Sequence, residues 1–158
     1  MMTQEALGTY LNDHLAGSVT AVEVLERAIE SSEDSALGPF LSELLEAIED
    51  DRDLLRHLLK RIGVAESPLK KAGAWLAEKV GRAKLRDSGN PAALGRLELL
   101  EMLATGIHGK LALWRSLEVA APRHPELADL DFGGLQRRAK EQHDSVEVHR
   151  LAAAGEAL

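Results

Sequence analysis

The chain contains no cysteine, which removes disulfides, thiolate metal sites and cysteine nucleophiles from the chemistry open to it. Aromatic residues make up only 3% of the sequence, so the core has to be built from Leu, Ala, Val and Ile. Nowhere do 18 apolar residues run together, and the opening MMTQEALGTY lacks the basic stretch and apolar region of a secretory leader. A soluble, cytoplasmic protein is expected on these grounds. Also missing are a glycine-rich phosphate loop, a Walker pattern and a Ser-His-Asp order with supporting motif.

What is present is ordinary globular material: 158 residues, 45% hydrophobic and 28% charged. That length suits a single domain over 1–158 with a substantial core. The net charge of −7 is unevenly spread. Residues 1–66 carry 14 acidic and 5 basic side chains, residues 67–90 carry 2 and 6, and residues 91–158 carry 10 and 8. A short basic island therefore interrupts an acidic chain.

Apolar residues recur at helical spacing in four long segments. The first, about 4–31, aligns Leu7, Leu11, Leu15, Val22, Leu25 and Ile29, and ends in a polar Ser-Ser-Glu-Asp-Ser run. The second opens at Gly38-Pro39, turns Leu41, Leu44, Leu45, Ile48, Leu55, Leu59 and Ile62 inward, and stops at Gly63. The third starts at Asn90-Pro91 and runs to about Ala121 before Pro122, with Leu97, Leu100, Leu103, Ala104, Ile107, Leu111 and Trp114 on its face. The fourth, about 132–154, carries Leu135, Ala139, Val146 and Ala153 on a stripe that also holds Gln142 and His149, and Gly133-Gly134 reads as its flexible start.

Short links join the first segment to the second and the third to the fourth, whereas about 28 residues separate the second from the third, far beyond a usual connection. Within that link Ser67-Pro68 predicts a short helix over 68–84. A helix of 27 residues is about 40 Å long, and a link of this length can travel that distance to join two parallel helices. Two helical hairpins and one crossover are the expected topology.

Four-helix bundles of this connectivity often hold a di-metal carboxylate site, which needs a Glu on each of two helices and Glu-x-x-His on the other two. No glutamate here is followed three positions later by histidine, and Asp-x-x-His is absent too. Glu49 is followed at that spacing by Arg52, and Glu141 by Asp144. With the first and fourth helices running up and the others down, His14, Ser18, Asp51, His108 and Gln142 fall near mid-height, with His143 at the flank. The preferred reading is a hydrogen-bonded polar layer that fixes helix register. The alternative is a metal site of His14, Asp51, His108 and His143 holding iron, manganese or zinc. Asp53 and His57 point away from the inward stripe and read as a solvated pair.

The basic link, with Lys70, Lys71, Lys79, Arg82 and Lys84 around Trp75, is a candidate anion-binding segment. The preferred reading is that it neutralises the acidic helices it crosses, with neither nucleic acid nor membrane as partner. Val24, Leu99 and Leu113 are expected to point outward and, with the Gly106 and Gly109 strip, to favour a homodimer.

With FLSELLEAIEDDRDLLRHLLKRIG in the second segment, GAWLAEKVGRAKL in the link and GIHGKLALW in the third, the chain resembles the ferritin-like superfamily, including bacterial stress-associated bundles. The resemblance implies a helical bundle, frequent dimerisation and metal-dependent redox chemistry. Only Glu49 carries over as a ligand-type residue. The expectation is therefore an all-α ferritin-like bundle with a long crossover, acting as a non-enzymatic structural or interaction module, in a stress response by resemblance. A metal-binding protein or metal-dependent oxidase using the mid-bundle set is the alternative.

Overall fold

The computed structural model describes residues 2–32, 35–68 and 91–158. Among these residues there are four long helices and no strand: α1 Met2–Glu30, α2 Leu37–Arg61, α3 Pro91–Ala120 and α4 Phe132–Ala157. Two 3-10 turns, Ala121–Arg123 and Pro125–Leu127, join α3 to α4. All but the first residue of the expected helix at 68–84, and the basic side chains placed on it, lie outside the described residues.

Helix ends follow from identifiable residues. Pro91 opens α3, where its missing N–H has no intrahelical partner to lose. Asp131 caps α4 by accepting the Gly134 N–H at 2.9 Å, so the Gly133-Gly134 start is a held cap and not simply a flexible one. Gly63 ends α2 with φ +71°. Its N–H donates to the Lys60 carbonyl at 3.1 Å, and the Val64 N–H donates to Leu59 at 3.0 Å. That paired closure satisfies two terminal carbonyls and needs the left-handed conformation glycine adopts freely.

The helices pack chiefly as two hairpins, α1 on α2 and α3 on α4, with α1 also against α3. The core divides into two apolar clusters that each draw on all four helices. One contains Leu7, Leu11 and Leu15 of α1 with Leu55, Leu58 and Leu59 of α2, Leu113, Trp114 and Leu117 of α3, and Leu135 and Ala139 of α4. The other contains Val22 and Leu25, Leu41 and Ile48, Leu97 through Ile107, and Val146 and Ala153. The starts of α1 and α4 therefore meet the ends of α2 and α3, so α2 and α3 run in the same direction.

Three residues expected to face outward belong to this core. Val24, Leu99 and Leu113 are buried, because a helix in a four-helix bundle touches two neighbours and buries an arc wider than one stripe. Among the described residues, the exposed large apolar side chains are instead Val119, Val148, Leu151 and Leu158.

After Gly63 the chain lies back along α1. Gln4 donates to the Ile62 carbonyl at 2.9 Å, Val64 packs on Gly8, and Asn12 binds the backbone of Ala65 and Ser67. A Cβ on Gly8 would stand 2.8 Å from a Val64 methyl, so only glycine admits this approach. Arg56 of α2 reaches Glu66 at 3.2 Å from the other side. Residues 62–67 thus climb the α1–α2 groove away from the end at which α2 stops.

Candidate functional site

Between the two apolar clusters lies a polar layer. Three helices contribute to it where their apolar runs are interrupted: Asp51 on α2, Lys110 on α3, and Arg138 and Gln142 on α4. The interruptions keep helical register. Asp51 falls three residues after Ile48 and four before Leu55, and Lys110 three after Ile107 and four before Trp114, so both side chains must enter the bundle.

Asp51 is the one carboxylate in the buried core of the described residues. Its Oδ2 accepts from Lys110 Nζ at 2.6 Å, and its Oδ1 accepts from the Arg138 guanidinium. Lys110 also donates to Gln142 Oε1. The Lys110 side chain is 14% exposed and that of Arg138 46% exposed, so the layer is largely shielded at the lysine and opens to water at the arginine. Burial pushes Lys110 below its ordinary value; Asp51 opposes this shift and the Arg138 charge adds to it. Ser18 takes no part, since its hydroxyl donates to the Leu15 carbonyl at 2.8 Å.

This is a polar layer of the expected kind in a different composition. Asp51 and Gln142 belong to it, but Lys110 and Arg138 connect them, and the histidines stand elsewhere. His14 is half-buried against Tyr10, with ring centroids 4.7 Å apart. Burial lowers its pKa, opposed by nearby Asp13. His108 is exposed on α3 and comes 6.2 Å from His143, ring to ring. His143 lies 3.7 Å from Asp144, which is also held by Lys140. Of the four residues in the alternative metal set, the structure pairs His108 with His143 and commits Asp51 to two cations. Among the described residues, no three His, Asp or Glu side chains are grouped to hold a metal ion.

Glu49 is paired with Arg52 at 3.8 Å on the surface of α2. Asp53 and His57 are both exposed, and His57 Nδ1 lies 3.1 Å from the Asp53 carbonyl. Lys70, Lys71, Lys79, Arg82 and Lys84 fall outside the described residues.

A second polar position, buried Asn12, was not legible in the sequence. Its amide donates to Gly8 and Ala65 carbonyls at 3.2 and 3.1 Å and accepts the Ser67 N–H at 2.8 Å. Arg61 at the end of α2 forms an exposed pair with Asp129 at 2.5 Å and donates to the Glu126 carbonyl, tying α2 to the α3–α4 link. At the opposite end Arg96 joins Glu156 at 2.7 Å, fastening the start of α3 to the end of α4.

No helix among the described residues is long and apolar enough to cross a membrane. No protein-family model matches the chain, and no curated protein or solved structure matches it.

Proposed function

We propose that this chain is a ferritin-like bundle of structural or interaction type, whose centre is closed by an ion-pair layer in place of a metal site. The observation that carries the reading is at Asp51. Both of its oxygens are engaged by cations, Lys110 and Arg138, and an ammonium and a guanidinium beside a carboxylate repel a metal ion at that position. The ferritin-like reading is supported by the parallel course of α2 and α3, and by residues 62–67, which start back along α1 toward the end where α3 begins. A stress role rests on the resemblance alone. The basic run of Lys70, Lys71, Lys79, Arg82 and Lys84 is assigned to neutralising the acidic first half of the chain.

The homodimer reading keeps a narrower support. Val24, Leu99 and Leu113 no longer argue for it, whereas Val148 and Leu151 stand exposed one turn apart on α4. Light scattering at high concentration tests it, and a monomer there removes it.

Elemental analysis of the purified chain tests the central reading. Iron, manganese and zinc are expected below stoichiometric amounts. A stoichiometric metal that is lost on changing His14 and His108 to alanine would replace the structural reading with the metal-dependent one.

A further inference from the structure

One side of the α3–α4 hairpin carries a ladder of cross-helix polar pairs. Arg150 reaches Glu101 at 3.5 Å, and Gln136 donates to Glu118 at 2.8 Å. His108 lies seven residues after Glu101 and His143 seven before Arg150, so the two histidines repeat the Glu101–Arg150 contact two turns along the same face. Their ring centres stand 6.2 Å apart at an interplanar angle of 62°. Unlike the pairs on either side, this one makes no hydrogen bond. Among the described residues, neither nitrogen of His108 nor Nε2 of His143 has a protein partner, and His143 Nδ1 lies 3.7 Å from Asp144. His108 is exposed and the His143 side chain is 34% exposed, so both rings meet solvent.

Two imidazoles at this separation suit one metal ion. With a Zn–N distance of about 2.0–2.1 Å, the centres of two rings bound to the same ion fall roughly 5–6.5 Å apart. The observed pair is at the open end of that range, and closing it by about 1 Å to tetrahedral geometry takes only rotations of two surface side chains. The nearby cations are already paired, Lys140 with Asp144 at 2.7 Å and Arg150 with Glu147. Asp144 beside Nδ1 leaves His143 Nε2 for the ion, the arrangement in which a carboxylate orients a metal-bound histidine. We infer that His108 and His143 form a two-histidine clamp for a divalent transition ion of the zinc and copper class, with water in the remaining positions. Imidazole favours these ions over magnesium or calcium, which prefer oxygen. With two protein ligands in place of the three or four of a dedicated site, the clamp holds its ion reversibly and is emptied by a chelator, so it is compatible with a chain that carries little metal after purification. A bound ion staples α3 to α4 and stabilises the fold by mass action.

The test uses the full chain after chelator treatment, with zinc chloride as the probe and magnesium chloride as the comparison. The thermal unfolding midpoint should rise by about 5 °C once free zinc exceeds its dissociation constant a hundredfold, and should not respond to magnesium. The imidazole proton resonances of His108 and His143 should move together and reach their end point at one zinc per chain. His108→Ala and His143→Ala, both changes at solvent-facing positions, should each abolish the zinc response while leaving the metal-free midpoint within about 2 °C. His14→Ala should keep the response. An unmodified chain that unfolds at the same temperature with and without zinc would overturn the clamp, as would a zinc response that survives His108→Ala or His143→Ala, or one that His14→Ala removes. Failure of the clamp leaves the ion-pair reading of the bundle centre standing. Metal that stays with the chain through purification and is lost in His14→Ala overturns that reading instead.

Discussion

Lys110 of α3 reaches across the bundle to Asp51 of α2 and places its ammonium 2.6 Å from Oδ2, at the level where one apolar cluster ends and the other begins. Pairing at this depth contributes little net stability, because desolvating both ions offsets much of their attraction. Its effect is on specificity. Sliding α2 against α3 by one turn would leave Asp51 among leucines and Lys110 without a carboxylate, so the layer selects one register of the two hairpins.

Asn12 gives the first prediction. Asn12→Ala leaves the Ala65 carbonyl and the Ser67 N–H without their side-chain partners, and a buried loss of this kind costs about 1–3 kcal/mol. Chemical denaturation should show that loss, and hydrogen exchange at the Ser67 amide should accelerate while α3 and α4 stay protected. Unchanged exchange at Ser67 would mean that Asn12 does not hold the segment.

The second prediction concerns pH. Burial holds His14 below its ordinary value near 6.5, so on acidification the unfolded chain takes up a proton before the folded one. Its contribution to stability is complete above the ordinary value and is lost as pH falls through the lower folded value. Lys110 has the same sign at alkaline pH: below 10.5 the unfolded chain stays protonated while the folded one releases its proton, so this group favours folding increasingly as pH rises through that window. Unfolding midpoints between pH 8 and 5 should fall less steeply in His14→Gln than in the unmodified chain. Parallel slopes would contradict the burial of His14.

Much of the architecture was legible because it depends on periodicity and punctuation. Apolar spacing located all four helices to within about three residues, and Pro91 and Gly63 marked a start and a stop that the chain uses. The polar layer was legible only in part. Asp51 and Gln142 were placed near mid-height on or beside the apolar stripes, whereas Lys110 and Arg138 were missed because charged residues are ordinarily assigned to the surface. The signal for Lys110 was its spacing, three after Ile107 and four before Trp114, the same as that of Asp51 on α2. His108 was drawn inward by its neighbour Ile107, though adjacent residues on a helix lie about 100° apart, and it is exposed. Asn12 gave no signal, since the two partners that fix its role, Ala65 and Ser67, are main-chain groups more than fifty residues away.

The third prediction separates core from surface. Leu113 is 1% exposed and Val148 is 69% exposed. Leu113→Ala should destabilise the chain by about 2–5 kcal/mol through cavity formation. Val148→Ala should stay within about 0.5 kcal/mol of the unmodified protein. If Leu113→Ala altered only an oligomeric state and left unfolding untouched, Leu113 would be an interface residue after all.

The most direct measurement is a double-mutant cycle on Asp51 and Lys110. Asp51→Leu alone leaves Lys110 buried beside Arg138 without its carboxylate and should cost about 3–5 kcal/mol. Combining it with Lys110→Met should recover most of that loss, giving a coupling energy of at least about 2 kcal/mol between the two positions by chemical denaturation. The opposite result is additivity within about 0.5 kcal/mol, which would mean that the two residues do not share a buried ion pair and that the centre of the bundle is held by something else.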